Sequence, residues 1–152
     1  MKVVAKLISG GLQSKIYVLK LGGFDTHADQ VDAVDTTQGA HANLLKTLSD
    51  AIWAFQQDIK LLGLEERILG MTFSEFGRKI ISNGGIGTDH GSAAPMMIFG
   101  QCVNQGIIGD NPFIADEVDS DEGVAMQYDF KWVYGSISVS YTHLTLPTIC
   151  SV

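Results

Sequence analysis

Cysteine is nearly absent from this chain: Cys102 and Cys150 are its only two in 152 residues. They form neither a disulfide framework nor a metal-binding spacing, so they assign the chain to no redox compartment. Positive charge is also scarce, with 10 Lys and Arg against 17 Asp and Glu and a formal net charge of −7. Nucleic acids and anionic membrane surfaces both want a basic face, so neither is expected as a partner. A phosphate-type substrate stays open, because a bound metal inverts the charge of its surroundings. No apolar run approaches the roughly 18 to 20 residues that span a bilayer. The opening MKVVAKLISGGL lacks the basic, apolar and small-residue order of a signal peptide. Familiar catalytic fingerprints are missing too: there is no G-x-S-x-G, no P-loop, and no G-x-G-x-x-G between a strand and a helix.

What is present is enough for one globular domain, at 45% hydrophobic residues and an average domain's length. Residues 2 to 9, KVVAKLIS, have helical apolar spacing and run into Gly10 and Gly11, a plausible stop. IYVLKL (16–21) is a short β-branched and aromatic run fit for a buried strand, broken by Gly22 and Gly23. The clearest helix is 38 to 62, where Leu45, Leu48, Ile52, Phe55, Ile59 and Leu62 form one stripe and Gly63 offers a left-handed cap. A second strand is expected over Ile68 to Phe73, ending in a polar turn. A glycine-rich loop, GGIGTDHGS (84–92), and a third strand, APMMIFG (94–100), come next. The acidic patch Asp116 to Glu122 lacks the ligand and glycine spacing of a calcium loop and reads as solvated surface. DFKWVYGSI (129–137) looks like the start of a helix that packs on the sheet. Strand, long helix, strand, loop and strand is an α/β pattern, favouring a largely parallel sheet whose ligands bind beyond the carboxyl ends of its strands.

Polar clusters follow each expected strand. In extended chain, side chains two apart share a side, so Asp25 and His27 of GGFDTHADQ could reach one cation together. A carboxylate with an imidazole suits zinc, manganese or iron better than calcium. Taken alone, an Asp capping a turn beside a surface His is the commoner origin of such a pair. Glu75 follows the second strand in a familiar ligand position, although surface Glu is commoner still. Asp89 and His90 sit between small neighbours in TDHGS, where a ligand can approach closely or where Asp89 can simply close a turn. Arg78 carries a planar fork suited to a phosphate or sulfate oxygen, or to pairing with a surface acid. His41, at the start of the long helix, reads as structural or as a wall of the same cleft.

GGFDTH, then H-x-x-LL opening a long helix, then TFSEFGR, NGGIGTDHG and YDFKWVY closely resemble the family known as domain of unknown function 1501. The resemblance covers about residues 1 to 137. That family is sulfatase-like and similar to the alkaline phosphatase superfamily. Kinship therefore implies a doubly wound, mainly parallel sheet with metals at its carboxyl edge, and hydrolysis of phosphate or sulfate esters. It implies Asp25 and His27 as ligands of one metal, Glu75 where relatives have the Asp of an Asp-His pair, and His90, with Asp89 beside it, as a late ligand. Arg78, by its planar fork rather than by the resemblance, is the candidate for binding such an ester's anionic oxygens. The metal would be zinc, manganese or calcium, the substrate a small-molecule or glycan ester, and the location periplasmic or extracellular.

Two departures accompany the resemblance. SEFG places Phe76 where a metal-binding His is expected. The family's early Gly-rich motif, with a further metal-binding Asp and the nucleophile, has no match here. The chain is thus expected to be a C-terminal part of such a protein, incomplete at the N-terminus of its sheet and inactive alone, with Met1 inside a longer reading frame. Residues 138 to 152, SVSYTHLTLPTICSV, contain no Asp, Glu, Lys or Arg and resemble translated adapter or vector DNA; a genuine β-rich terminus is the other reading. On the first of these readings, His143 and Cys150 carry no function. The reading of a different class is a non-catalytic secreted or surface binding protein that keeps the sulfatase-like fold.

Overall fold

The computed structural model describes residues 1–142, with side chains to 138, and these form a mixed α/β chain with short antiparallel sheets. In chain order the elements are α1 (Lys2–Ser9), α2 (Ala40–Leu61), a 3-10 turn (Glu65–Arg67), β1 (Gly70–Met71), β2 (Gly77–Ser82), β3 (Thr88–Gly91), β4 (Ile98–Phe99) and α3 (Phe130–Thr142). They divide into two compact units: Met1–Arg67 with Ser82–Asp89, and Ile68–Ile81 with the chain from His90 onward.

In the first unit both helices end in the same device. At α1, Leu12 N–H donates to Leu7 O and Gly11 N–H to Ile8 O, with Gly11 at φ 83°. At α2, Leu64 N–H donates to Ile59 O and Gly63 N–H to Lys60 O, with Gly63 at φ 65°. This is the Schellman arrangement, and it requires a residue that tolerates positive φ. Burial is concentrated where the helices meet: Ala5 of α1 and Phe55 and Ile59 of α2 are the buried apolar residues among those described. The apolar stripe of α2 is therefore covered only in part, since Leu45 and Leu62 at its ends are 45% exposed. Gly39 starts α2 because a Cβ there would fall 2.6 Å from Val31 Cα. Between them the loop 30–39 bonds to itself: Asp32 accepts the N–H groups of Val34 and Asp35, and Asp35 accepts both the N–H and hydroxyl of Thr37.

The strands depart furthest from the sequence expectation. IYVLKL has no place in either sheet among the described residues, and Ile16 and Val18 stand 81% and 73% exposed. Strand propensity supplies a side-chain pattern but no ladder partner, and a strand exists only with one. Ile68–Phe73 shortens to β1 and 94–100 to β4. The two pair antiparallel, Gly70 opposite Phe99 and Met71 opposite Ile98. Phe99 lies over Gly70, where a Cβ would meet its ring at 2.2 Å. The end of the polar turn expected by residue 79 and part of the glycine-rich loop expected over 84–92 instead fall in the two-stranded sheet of β2 and β3. An Asn-Gly-Gly turn between short strands is a hairpin signal that this expectation overlooked.

In the second unit the acidic segment 116–122 is exposed as expected but tied to β2. Lys79 Nζ lies 2.7 Å from Asp121 Oδ1, and Lys79 bridges Gly123. Asp129 caps α3 through the Lys131 N–H. Along that helix Trp132 stands 79% exposed, while Val133, Tyr134 and Ile137, at helical spacing, are half-buried. Residues 143–152, including His143, Cys150 and most of the expected foreign tail, lie outside the described residues.

Candidate functional site

Gly22 and Gly23 lead the chain into Asp25-Thr26-His27 with alternating side-chain directions. Thr26 turns inward, 6% exposed, and donates its hydroxyl to Gln30 Oε1 at 2.9 Å. Asp25 and His27 turn outward together, with Asp25 Oδ1 3.0 Å from His27 Nε2. The opposite ring nitrogen, Nδ1, lies 2.9 Å from Asp89 Oδ1 at the end of the hairpin that belongs to this unit. One imidazole thus bridges two carboxylates. The three side chains are about half exposed, at 58% for Asp25, 47% for His27 and 48% for Asp89.

The backbone beneath them is assembled by the loop 83–87. Asp29 N–H donates to Gly85 O at 2.9 Å and Gln30 N–H to Ile86 O at 3.0 Å. Gly87 presses against the chain at His27, where a Cβ would lie 2.4 Å from His27 C and O. This is close approach of the kind only glycine permits. Ile86 is held at φ 56°, a region β-branched residues avoid, by the contacts on either side of it. Asn83 completes the loop: its Oδ1 accepts the N–H groups of Gly85 and Gly87, and its Nδ2 donates to His27 O at 2.8 Å and Asp89 Oδ1 at 3.0 Å. A shallow cleft of about 340 Å³ opens beside this loop, lined by Gln30, Thr36, Ser82, Asn83 and Thr88 but not by Asp25 or His27.

Chemically, an imidazole between two carboxylates has two forms. With both nitrogens protonated it donates to each. With Nδ1–H donated to Asp89, the Nε2 lone pair is free of a proton, and a cation could bind Nε2 and Asp25 from one side of the line that joins them. Two donors sharing an ion at ~2.1 Å each sit ~3.0–3.4 Å apart for ligand angles of ~90–110°. The Nε2 to Oδ1 distance of 3.0 Å falls at the short end of that range, and both groups are exposed to solvent. The donor set thus suits a divalent ion of the zinc or manganese kind.

The remaining sequence candidates belong to the second unit. Glu75 is exposed in the turn before β2, where Ser74 Oγ donates to Phe76 O. His90 stacks on Phe76, rings 3.8 Å apart and 7° from parallel. The Arg78 guanidinium lies over the same ring, 4.9 Å from its centroid. Within the first unit the structure therefore brings together Asp25, His27 and Asp89. His41 is also there but serves the fold: its N–H donates to Gln30 O and its ring meets Phe24 edge-on.

Residues 11–130 match the family model described as a protein of unknown function, DUF1501. The chain belongs to that family. The match takes in every element from α2 to β4 and the whole Asp25, His27 and Asp89 group. No curated protein and no solved structure matches the chain. Asn83 was missed in the sequence, although the Asn-Gly-Gly turn it heads marked the position.

Proposed function

We propose that this DUF1501 chain carries part of the metal site of a phosphate- or sulfate-ester hydrolase of the alkaline phosphatase and sulfatase type. The observation that carries the reading is the His27 ring held between Asp25 and Asp89 at 3.0 and 2.9 Å. In this reading Asp25 Oδ1 and His27 Nε2 are ligands of a divalent ion, zinc, manganese or calcium. Asp89 accepts Nδ1–H, fixing the tautomer and aiming the ring. When bound, the ion polarises the ester oxygen and neutralises charge on the leaving group. Glu75 and His90, expected from the resemblance as ligands, and Arg78, whose planar fork suits an anionic ester oxygen, lie in the second unit and are no part of this ligand pair. The parallel, doubly wound sheet of that superfamily is part of the proposal, as is export to the periplasm or cell surface.

The chain alone is expected not to turn over an aryl phosphate or aryl sulfate with zinc, manganese or calcium, since no nucleophile is assigned within it. Metal analysis of the purified chain tests the site itself: stoichiometric metal that is lost in Asp25→Ala and His27→Ala supports the reading. Metal retained in both variants refutes the ligand pair.

One observation favours a second reading, a secreted or surface binding protein without catalysis. Phe76, standing where a metal-binding His is expected, is occupied in stacking with His90. A chain that takes up no metal yet binds glycan would support that reading over the hydrolase.

A further inference from the structure

The geometry points to Asn83 as the positioning residue of this site, an inference that rests on the metal reading above. An Asn side chain has two acceptor sites and two N–H donors, and here all four are used. Oδ1 takes the Gly85 N–H at 2.9 Å and the Gly87 N–H at 3.3 Å. Nδ2 gives its protons to His27 O at 2.8 Å and Asp89 Oδ1 at 3.0 Å. The reverse orientation of the amide would set N–H against N–H and oxygen against oxygen, so the network admits one arrangement.

An Asn that merely closes a hairpin turn needs only its oxygen. That ordinary role accounts for the Gly85 and Gly87 contacts. It does not account for the other arm, which reaches a backbone carbonyl 56 residues away and the very carboxylate oxygen that faces His27 Nδ1. Asp89 Oδ1 thus receives two N–H directions, one from Asn83 and one from His27, and is left a single orientation. Asn83 also holds the backbone of His27 itself. Through these two bonds it sets both the imidazole and the carboxylate that fixes its tautomer, without facing the cation. Outer-shell partners of this kind typically change metal affinity by roughly 10–100-fold when removed.

Asn83→Ser separates the two arms, because a hydroxyl can still accept the Gly85 N–H but cannot span to His27 O and Asp89 together. The wild-type and variant chains are compared by calorimetric zinc titration and by the His27 Nδ1 proton signal in the metal-free chain. The variant is expected to bind zinc roughly 10–100-fold more weakly, to lose the His27 signal through exchange, and to keep the Gly85 amide protected. Wild-type zinc affinity with an unchanged His27 signal overturns the assignment. If the wild-type chain takes up no zinc, the metal reading fails by itself, and the His27 signal alone decides for or against Asn83. Rescue of that signal in Asn83→Gln would count against a requirement for the Asn geometry, since the longer amide cannot keep the Gly85 and Gly87 contacts in place.

Discussion

Thr26 and Thr88 donate their hydroxyl protons to one acceptor, Gln30 Oε1, at 2.9 and 2.7 Å. The Thr88 N–H also donates to Thr26 O at 3.3 Å. This pair fastens the segment bearing Asp25 and His27 to the strand bearing Asp89 from the inward side, while those three side chains stay outside. Gln30→Ala leaves two hydroxyls without their acceptor, one of them on a residue only 6% exposed. A loss of about 1–3 kcal/mol in urea unfolding is expected. A change near zero would mean that water replaces the amide without cost.

Glycine at position 87 is expected to be indispensable and glycine at position 84 is not. A Cβ at Gly87 would lie 2.4 Å from His27 C and O and 2.6 Å from Thr26 O, all main-chain atoms that cannot step aside singly. Gly84→Ala meets nothing within 4 Å. Gly87→Ala should cost about 1–3 kcal/mol of stability, the usual range for overpacking, and displace His27. Gly84→Ala should stay within about 0.5 kcal/mol. Thermal unfolding of the two variants side by side makes the comparison. Equal behaviour would remove the close-approach argument.

Acid should loosen the loop before α2. The Asp35 and Val34 N–H groups lower the Asp32 carboxyl below its ordinary value, and the Thr37 hydroxyl and N–H do the same for Asp35. A carboxyl depressed in the fold stabilises it above the unfolded value of about 3.9. That contribution is lost as pH falls through the lower folded value. The amide resonances of Val34, Asp35 and Thr37 should therefore move in acid with a midpoint below the ordinary carboxylate value. Movement centred at or above the ordinary carboxylate value would contradict the capping role.

The parts of this molecule that were legible in sequence share a physical cause. Helices α1 and α2 showed because their apolar residues recur every three or four positions and because Gly11 and Gly63 mark left-handed turns, all within a few residues of chain. The pairing of Asp25 with His27 was legible for the same reason, since alternation in extended chain is local. The strands were not. Whether Ile16–Leu21 joins a sheet depends on a partner that its own residues do not encode, and β2 and β3 formed from a stretch with little strand alternation. Asp89 was named as a ligand candidate, but its place behind His27 depends on the loop 83–87 folding against 26–30. No spacing reveals that contact, and Asn83 went unnoticed with it. Glu75, chosen for following a strand, lies on a segment where β1 ends well before it.

The most direct test of the account follows the two ring nitrogens of His27 separately as zinc is added to the nitrogen-15-labelled chain. The expected result is a large shift of Nε2 with Nδ1 still carrying its proton toward Asp89, and no such change in Asp25→Ala. A His27 ring that stays unaltered at saturating zinc, or one that ligates through Nδ1, would contradict the central claim.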